Sequence, residues 1–97
     1  MSKANQLRAK QRAYYSLLEN VSSFNSKLKA AYNQLENAVK SKQNFLIDNE
    51  PADNNDIETA RESILKTSEN LTNKIIPAIQ NKINNLNKDI NKAEAEG

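Results

Sequence analysis

Apolar side chains recur in the first half of the chain at intervals of seven residues. This first column consists of Leu7, Tyr14, Val21, Leu28 and Leu35. A second column follows three or four residues behind it and consists of Leu17, Leu18, Phe24, Ala31, Tyr32, Ala38 and Val39. Spacings of three, four and seven residues mark one face of a helix, and the seven-residue repeat is typical of a face that packs on another helix. The pattern predicts a first helix over about residues 3–46, with neither Gly nor Pro inside it.

A second helix is predicted over about residues 56–94. Its apolar face consists of Ile57, Ala60, Ile64, Leu65, Leu71, Ile76, Ile79, Ile83, Leu86, Ile90 and Ala93. The spacing changes phase near Pro77, which lacks an amide hydrogen and crowds the carbonyl group of Asn73. We therefore predict a kink in the second helix near Pro77, with a division into two separate helices as the alternative.

The segment between the two helices, over about residues 47–55, predicts a loop. Pro51 disfavours a helical conformation at the residue before it, and the neighbouring Asn and Asp residues are typical of turns and helix caps. Asn55 is the expected N-cap of the second helix, and Asp53 is the competing candidate.

Two long helices joined by a short loop are expected to fold back on each other. The predicted fold is therefore all-α: an antiparallel, coiled-coil-like two-helix hairpin that forms a single domain over residues 1–97. The composition agrees, because 37% hydrophobic residues with one Gly and two Pro do not suit a β-sandwich or an α/β fold. A single apolar seam buries little apolar surface, which hardly offsets the conformational entropy lost on folding. We therefore expect the isolated hairpin to be marginally stable and to need a partner or a second copy.

The residue types exclude most kinds of active site. The chain contains no Cys and no His, and its only Gly is Gly97, so the usual catalytic base, thiol nucleophiles and Gly-rich phosphate loops are all missing. We predict no catalytic, cofactor-binding or metal-binding residues, no cofactor and no enzymatic activity. No apolar run is long enough to span a membrane, and the first residues do not resemble a signal peptide, so we expect a cytoplasmic protein.

Basic residues dominate the start of the chain. Lys3, Arg8, Lys10 and Arg12 all precede the first acidic residue, Glu19, although the net charge of the whole chain is only +2. Binding of nucleic acid or of an anionic lipid surface is one alternative for this end. An ordinary solvated helix end is the preferred interpretation, so no nucleic acid is expected as a partner.

Several residues on the apolar columns are candidates for contact with a protein partner. Tyr14 lies on the first column, whereas Tyr15 points about 100° away from it, and amphipathic aromatic side chains are enriched at interfaces. Packing of both tyrosines in or beside the hairpin core is the preferred interpretation. The alternative is that Tyr15, with Phe24 or Tyr32, anchors a partner surface. The candidate interface residues are Tyr15, Leu18, Phe24, Tyr32, Ile79, Ile83 and Leu86.

In length, in its two long helices and in its Asn- and Lys-rich composition without Cys, the chain resembles the small helical hairpins of the WXG superfamily. It is most similar to the accessory proteins associated with LXG toxins in Gram-positive type VII secretion. The resemblance implies a targeting factor that pairs with a toxin's helical N-terminal domain or with a second small hairpin protein. It also implies export of the protein without a cleavable signal peptide.

The family's motifs are only partly present. The expected loop contains neither the Trp nor the Gly of the Trp-x-Gly motif, and no Tyr follows Tyr32 to form a C-terminal Tyr-x-x-x-Asp/Glu export signal. The pairs Tyr15–Glu19 and Tyr32–Glu36 have the correct spacing but lie inside the first helix. A partner would therefore have to supply part of the signal. The alternative function is a self-associating scaffold or regulatory protein, in which a homodimer forms a four-helix bundle.

Overall fold

The computed structural model of the protein describes residues 2–45 and 55–96. All of these residues except Ser2 are helical, and no strand occurs among them. The elements are α1 (Lys3–Phe45), α2 (Asn55–Asn70), a π-helical segment (Leu71–Ile75) and α3 (Ile76–Glu96). The predicted loop covers about residues 47–55; its residues 47–54, with Pro51 and the competing cap Asp53, lie outside the described residues, and Asn55 is the first residue of α2.

The predicted all-α hairpin is confirmed. α1 packs along its length against α2 at one end and against α3 at the other, so α2, the π-helical segment and α3 together form the second arm. The two arms run antiparallel in a rod with extents of 76 × 16 × 14 Å. A rod this thin has one layer of contact, and the side chains that are buried in the described part of the chain lie between the arms.

Local sequence signals explain where the arms begin. Ser2 caps α1, because its hydroxyl oxygen accepts a hydrogen bond from the amide of Asn5 at 3.1 Å and its carbonyl accepts one from the amide of Gln6 at 3.1 Å. α2 begins at Asn55 and carries Asp56 and Glu58 in its first turn, where carboxylates interact favourably with the helix dipole.

The inward face of α1 differs in part from the sequence expectation. The first column is half-buried between the arms, as expected. The second inward column is Ala4, Gln11, Leu18, Asn25, Tyr32 and Val39. Leu17, Phe24 and Ala38, each one residue earlier in the chain, are exposed. The two possible columns lie side by side, and one neighbouring helix covers only one of them. The column that packs contains Gln11 and Asn25, which an apolar pattern cannot reveal.

The predicted interruption near Pro77 is confirmed, and it takes the form of the π-helical segment. The amide of Ile76 donates to the carbonyl of Leu71, five residues earlier, instead of four. Inward positions on the second arm are seven residues apart within α2 and within α3, but Leu71 and Ile79 are eight apart. The π-helical segment therefore absorbs one additional residue, and it ends just before Pro77, which has no amide hydrogen to donate.

This interpretation predicts that one residue can be removed from the π-helical segment without loss of the fold. Deletion of the exposed Asn73 together with Pro77→Ala should restore a continuous seven-residue spacing, so helical content and melting temperature should stay close to those of the parent protein. Circular dichroism during thermal unfolding measures both. Deletion of Lys82 with Pro77→Ala is the matched control, because it rotates Ile83, Leu86 and Ile90 away from α1 and should unfold that end. Equal loss in both variants would contradict this interpretation.

Candidate partner interface

A small polar cluster is buried in the middle of the hairpin. Asn25 and Ser68 are each only 5% exposed. The hydroxyl of Ser68 donates to Asn25 Oδ1 at 2.6 Å, and Asn25 Nδ2 donates to the hydroxyl oxygen of Thr72 at 2.8 Å. A hydrogen-bonded asparagine in a helix–helix seam specifies the alignment of the helices, because any other alignment leaves it buried without partners. The cluster therefore fixes which part of α1 lies beside the π-helical segment.

Polar contacts close one side of the rod. Gln11 Nε2 donates to the carbonyl of Ile83 at 3.3 Å and also to Asn87 Oδ1. One turn nearer the start of α1, Arg8 forms an ion pair with Glu94. Lys29 borders the same recess as Leu65. We call this side the polar edge. Its residues are Arg8, Tyr15, Ser22 and Lys29 on α1, at seven-residue intervals, and Leu65, Asn87 and Glu94 on the second arm.

The opposite side of the rod is apolar and uncovered. Lys3 of α1 shares a recess with Asp89 of α3, which marks one side of the hairpin. Seven-residue steps along α1 from Lys3 lead to Leu17 and Phe24, and steps back along the second arm from Asp89 lead to Ile75. These side chains are 44% (Leu17), 53% (Phe24) and 38% (Ile75) exposed. We call this side the apolar edge.

The apolar edge forms a single patch. Asn25 lies level with Ser68 and Thr72, and Gln11 lies level with Ile83 and Asn87. In an antiparallel pair these two levels place Ile75 opposite the stretch of α1 between Leu17 and Phe24. Clustered exposed apolar side chains of this kind mark interaction surfaces in soluble proteins.

The apolar edge belongs to a second helix-packing face of α1. Its positions alternate in steps of four and three residues: Leu17, Val21, Phe24, Leu28, Ala31, Leu35 and Ala38. Such steps are typical of a seam that contacts another helix. Val21, Leu28 and Leu35 also belong to the half-buried first column. α1 thus carries two overlapping seams, of which the hairpin covers one.

The structure separates the interface residues that the sequence predicts into two groups. Tyr15 and Phe24 are both about half-exposed, at 50% and 53%, but they lie on opposite edges of the rod. The remaining predicted residues lie between the arms: Leu18 and Tyr32 are half-buried, and Ile79, Ile83 and Leu86 are buried. In this conformation the second group packs within the hairpin, and a direct contact of these residues with a partner stays a prediction.

Sequence reasoning did not identify Ile75, Asn25, Ser68 or Thr72 as important. A signal for Asn25 was present, because it lies seven residues from both Leu18 and Tyr32. A polar residue at such a position is typical of a register-setting contact. No comparable signal pointed to its partners on the second arm.

Metal-ligand clusters and membrane-spanning helices are both absent from the part of the chain that the structure describes. Residues 2–45 and 55–96 contain no group of three or more acidic side chains that could hold a metal ion. None of the helices in these ranges is long and apolar enough to cross a bilayer. Of the basic residues near the start of α1, Arg8 is paired with Glu94, and Lys10 lies seven residues from Lys3 on the side of the apolar edge.

Comparisons with protein-family models, with curated proteins and with solved structures give no match for this chain.

The buried polar cluster leads to a prediction about stability. Asn25→Ala should lower the free energy of unfolding by about 1–3 kcal/mol, because the buried hydroxyl of Ser68 loses its acceptor and the exposed Thr72 loses a donor. Urea unfolding followed by circular dichroism measures this difference. Asn20→Ala is the matched control, since Asn20 is an exposed asparagine on the same helix and its replacement should have almost no effect. Equal stability of the two variants would show that the cluster does not hold the arms together.

Proposed function

We propose that the protein is a non-enzymatic helical interaction protein that pairs with a helical partner along its apolar edge. The observation that carries this proposal is the second seam of α1, where Leu17 and Phe24 are exposed. Exposure of such large apolar side chains is notable in a chain with only 37% hydrophobic residues. A helix lying on this seam would cover both side chains together with Ile75. The added burial would also strengthen a hairpin that has only one layer of internal contact.

Within this proposal, the resemblance to the type VII hairpins suggests the biological setting. The protein would act as an accessory or targeting factor, and its partner would be the helical N-terminal domain of a toxin or a second small hairpin. Side-by-side pairing would keep the client competent for export and present a joint signal. The rod supports this proposal, because its length of 76 Å suits side-by-side packing on a partner that is itself made of long helices.

The alternative function is self-association into a four-helix bundle with a scaffold or regulatory role. The second seam of α1 favours this alternative as well, because its spacing would also suit α1 of another copy. Sedimentation velocity of the pure protein distinguishes the two. The proposed function predicts a monomer or a weak dimer when the partner is absent, whereas a tight dimer that Phe24→Asp dissociates would favour self-association.

The accessory function can be tested in cells that export the client protein. Phe24→Asp places a charge in the centre of the proposed contact, so it should weaken the complex by about a hundredfold and reduce the exported fraction of the client. Co-purification of the tagged client and immunoblotting of the culture medium measure these two effects. The hairpin itself should stay folded, because the side chain of Phe24 is already 53% exposed.

Tyr15→Asp provides a matched control for this experiment. Tyr15 is an aromatic residue of α1 with nearly the same exposure, 50%, but it lies on the polar edge. Its replacement should leave complex formation and export close to the parent level. Normal pairing and export in the Phe24→Asp variant would overturn the proposed function, and equal loss in both variants would remove the assignment to the apolar edge.

A further inference from the structure

The two edges of the hairpin differ in charge. In the described residues most carboxylates lie at positions that border the polar edge: Glu19, Glu36, Glu58, Glu62, Glu69 and Glu94. The positions that border the apolar edge follow from the same seven-residue register. From Lys10 to Gln34 on α1 and from Ala60 to Asn85 on the second arm, the charged residues at these positions are Lys10, Lys27 and Lys82. The carboxylates on the same edge, Asp56, Asp89 and Glu96, lie beyond these stretches.

These lysines lie at the ends of the apolar patch. Lys10 and Lys82 come within about one helical turn of the same level, since Gln11 lies level with Ile83. Lys27 lies at the other end, one turn beyond Phe24. The distance along α1 from Lys10 to Lys27 is about 26 Å at 1.5 Å per residue, which matches a partner helix of roughly five turns.

This arrangement does not favour a second copy as the occupant. A two-fold dimer joins the same patch of both copies, so the lysines at its ends would meet lysines, while the carboxylates of this edge lie outside the patch. Like charges brought together at an interface weaken it, whereas opposite charges steer the partner and fix its position. The edge therefore suits a partner that carries negative charge beside its apolar stripe.

We propose that the apolar edge binds one amphipathic helix of another protein, whose apolar stripe is bordered by Asp and Glu side chains. Leu17 and Phe24 form one wall of the docking groove and Ile75 forms the other. The lysines at its ends pair with the partner's carboxylates. Further along α1 the column continues with Ala31 and Ala38, where small side chains let a helix approach closely. This inference rests on the proposed function and adds the chemistry of the partner to it.

Two synthetic peptides test the inference against the full-length protein. Both carry the same heptad stripe of Leu and Ile over about five turns, and they differ only in having Glu or Lys at the bordering positions. Fluorescence anisotropy should show that the Glu peptide binds at least about tenfold more tightly at low salt. The difference should shrink at high salt, because partly exposed ion pairs are screened.

Charge-reversal variants connect the result to these lysines. The variant Lys10→Glu/Lys27→Glu/Lys82→Glu should reverse the preference and bind the Lys peptide more tightly. The variant Arg12→Glu/Lys29→Glu/Lys40→Glu changes the net charge equally but lies on the polar side, so it should keep the preference for the Glu peptide. The same loss of preference in both variants would show that only total charge matters, and it would overturn the inference.

The remaining outcomes separate this inference from the proposed function. Equal binding of both peptides, tighter binding of the Lys peptide or binding of neither overturns the acidic partner. Binding of phosphatidylglycerol vesicles or of DNA through the three lysines, without a preference between the peptides, overturns it as well. The proposed function is tested separately, by client pairing and export in the Phe24→Asp and Tyr15→Asp variants and by sedimentation velocity, so each idea has its own decisive measurement.

Discussion

The hydrogen bonds that Asn25 makes with Ser68 and Thr72 determine how the two arms align. Most other inward residues are aliphatic, and aliphatic contacts tolerate sliding, whereas a buried amide does not. With this contact in place, Gln11 reaches the carbonyl of Ile83, and Ile75 comes level with the exposed part of α1. The alignment specified by this central polar contact therefore decides which residues of the two arms meet at each edge of the rod. A displacement of one turn would separate Ile75 from Phe24 and divide the patch.

The shape of the molecule follows from the width of the apolar face of α1. A helix packed against a single partner needs a narrow stripe, and the first column with its inward neighbours fills that requirement. α1 carries an additional column one residue away, with Leu17 and Phe24 exposed. An apolar face wider than one neighbour can cover is the arrangement of a helix in a bundle of three or four. The hairpin packs one apolar column of α1 and leaves the neighbouring column exposed.

The sequence was sufficient to predict the helices, their antiparallel arrangement and the irregularity near Pro77, because seven-residue spacing and proline chemistry act locally. It was not sufficient to select the inward column of α1. Positions 17, 24 and 38 are apolar and so are 18, 32 and 39, and only the neighbouring arm decides between them. The polar residues Gln11 and Asn25 could not be assigned to the seam, because their partners lie more than forty residues away in the chain. The apolar edge became visible only when both arms were aligned.

The π-helical segment has a mechanical consequence. The regular helices on both sides of Leu71–Ile75 are stiff. Insertion or deletion of one residue within this segment therefore rotates α3 by about 100° relative to α2. The angular setting of α3 relative to α2 is therefore decided within these five residues. Ile75 is the last residue of that segment. A partner packed against Ile75 would therefore also restrict rotation of α3 relative to α2.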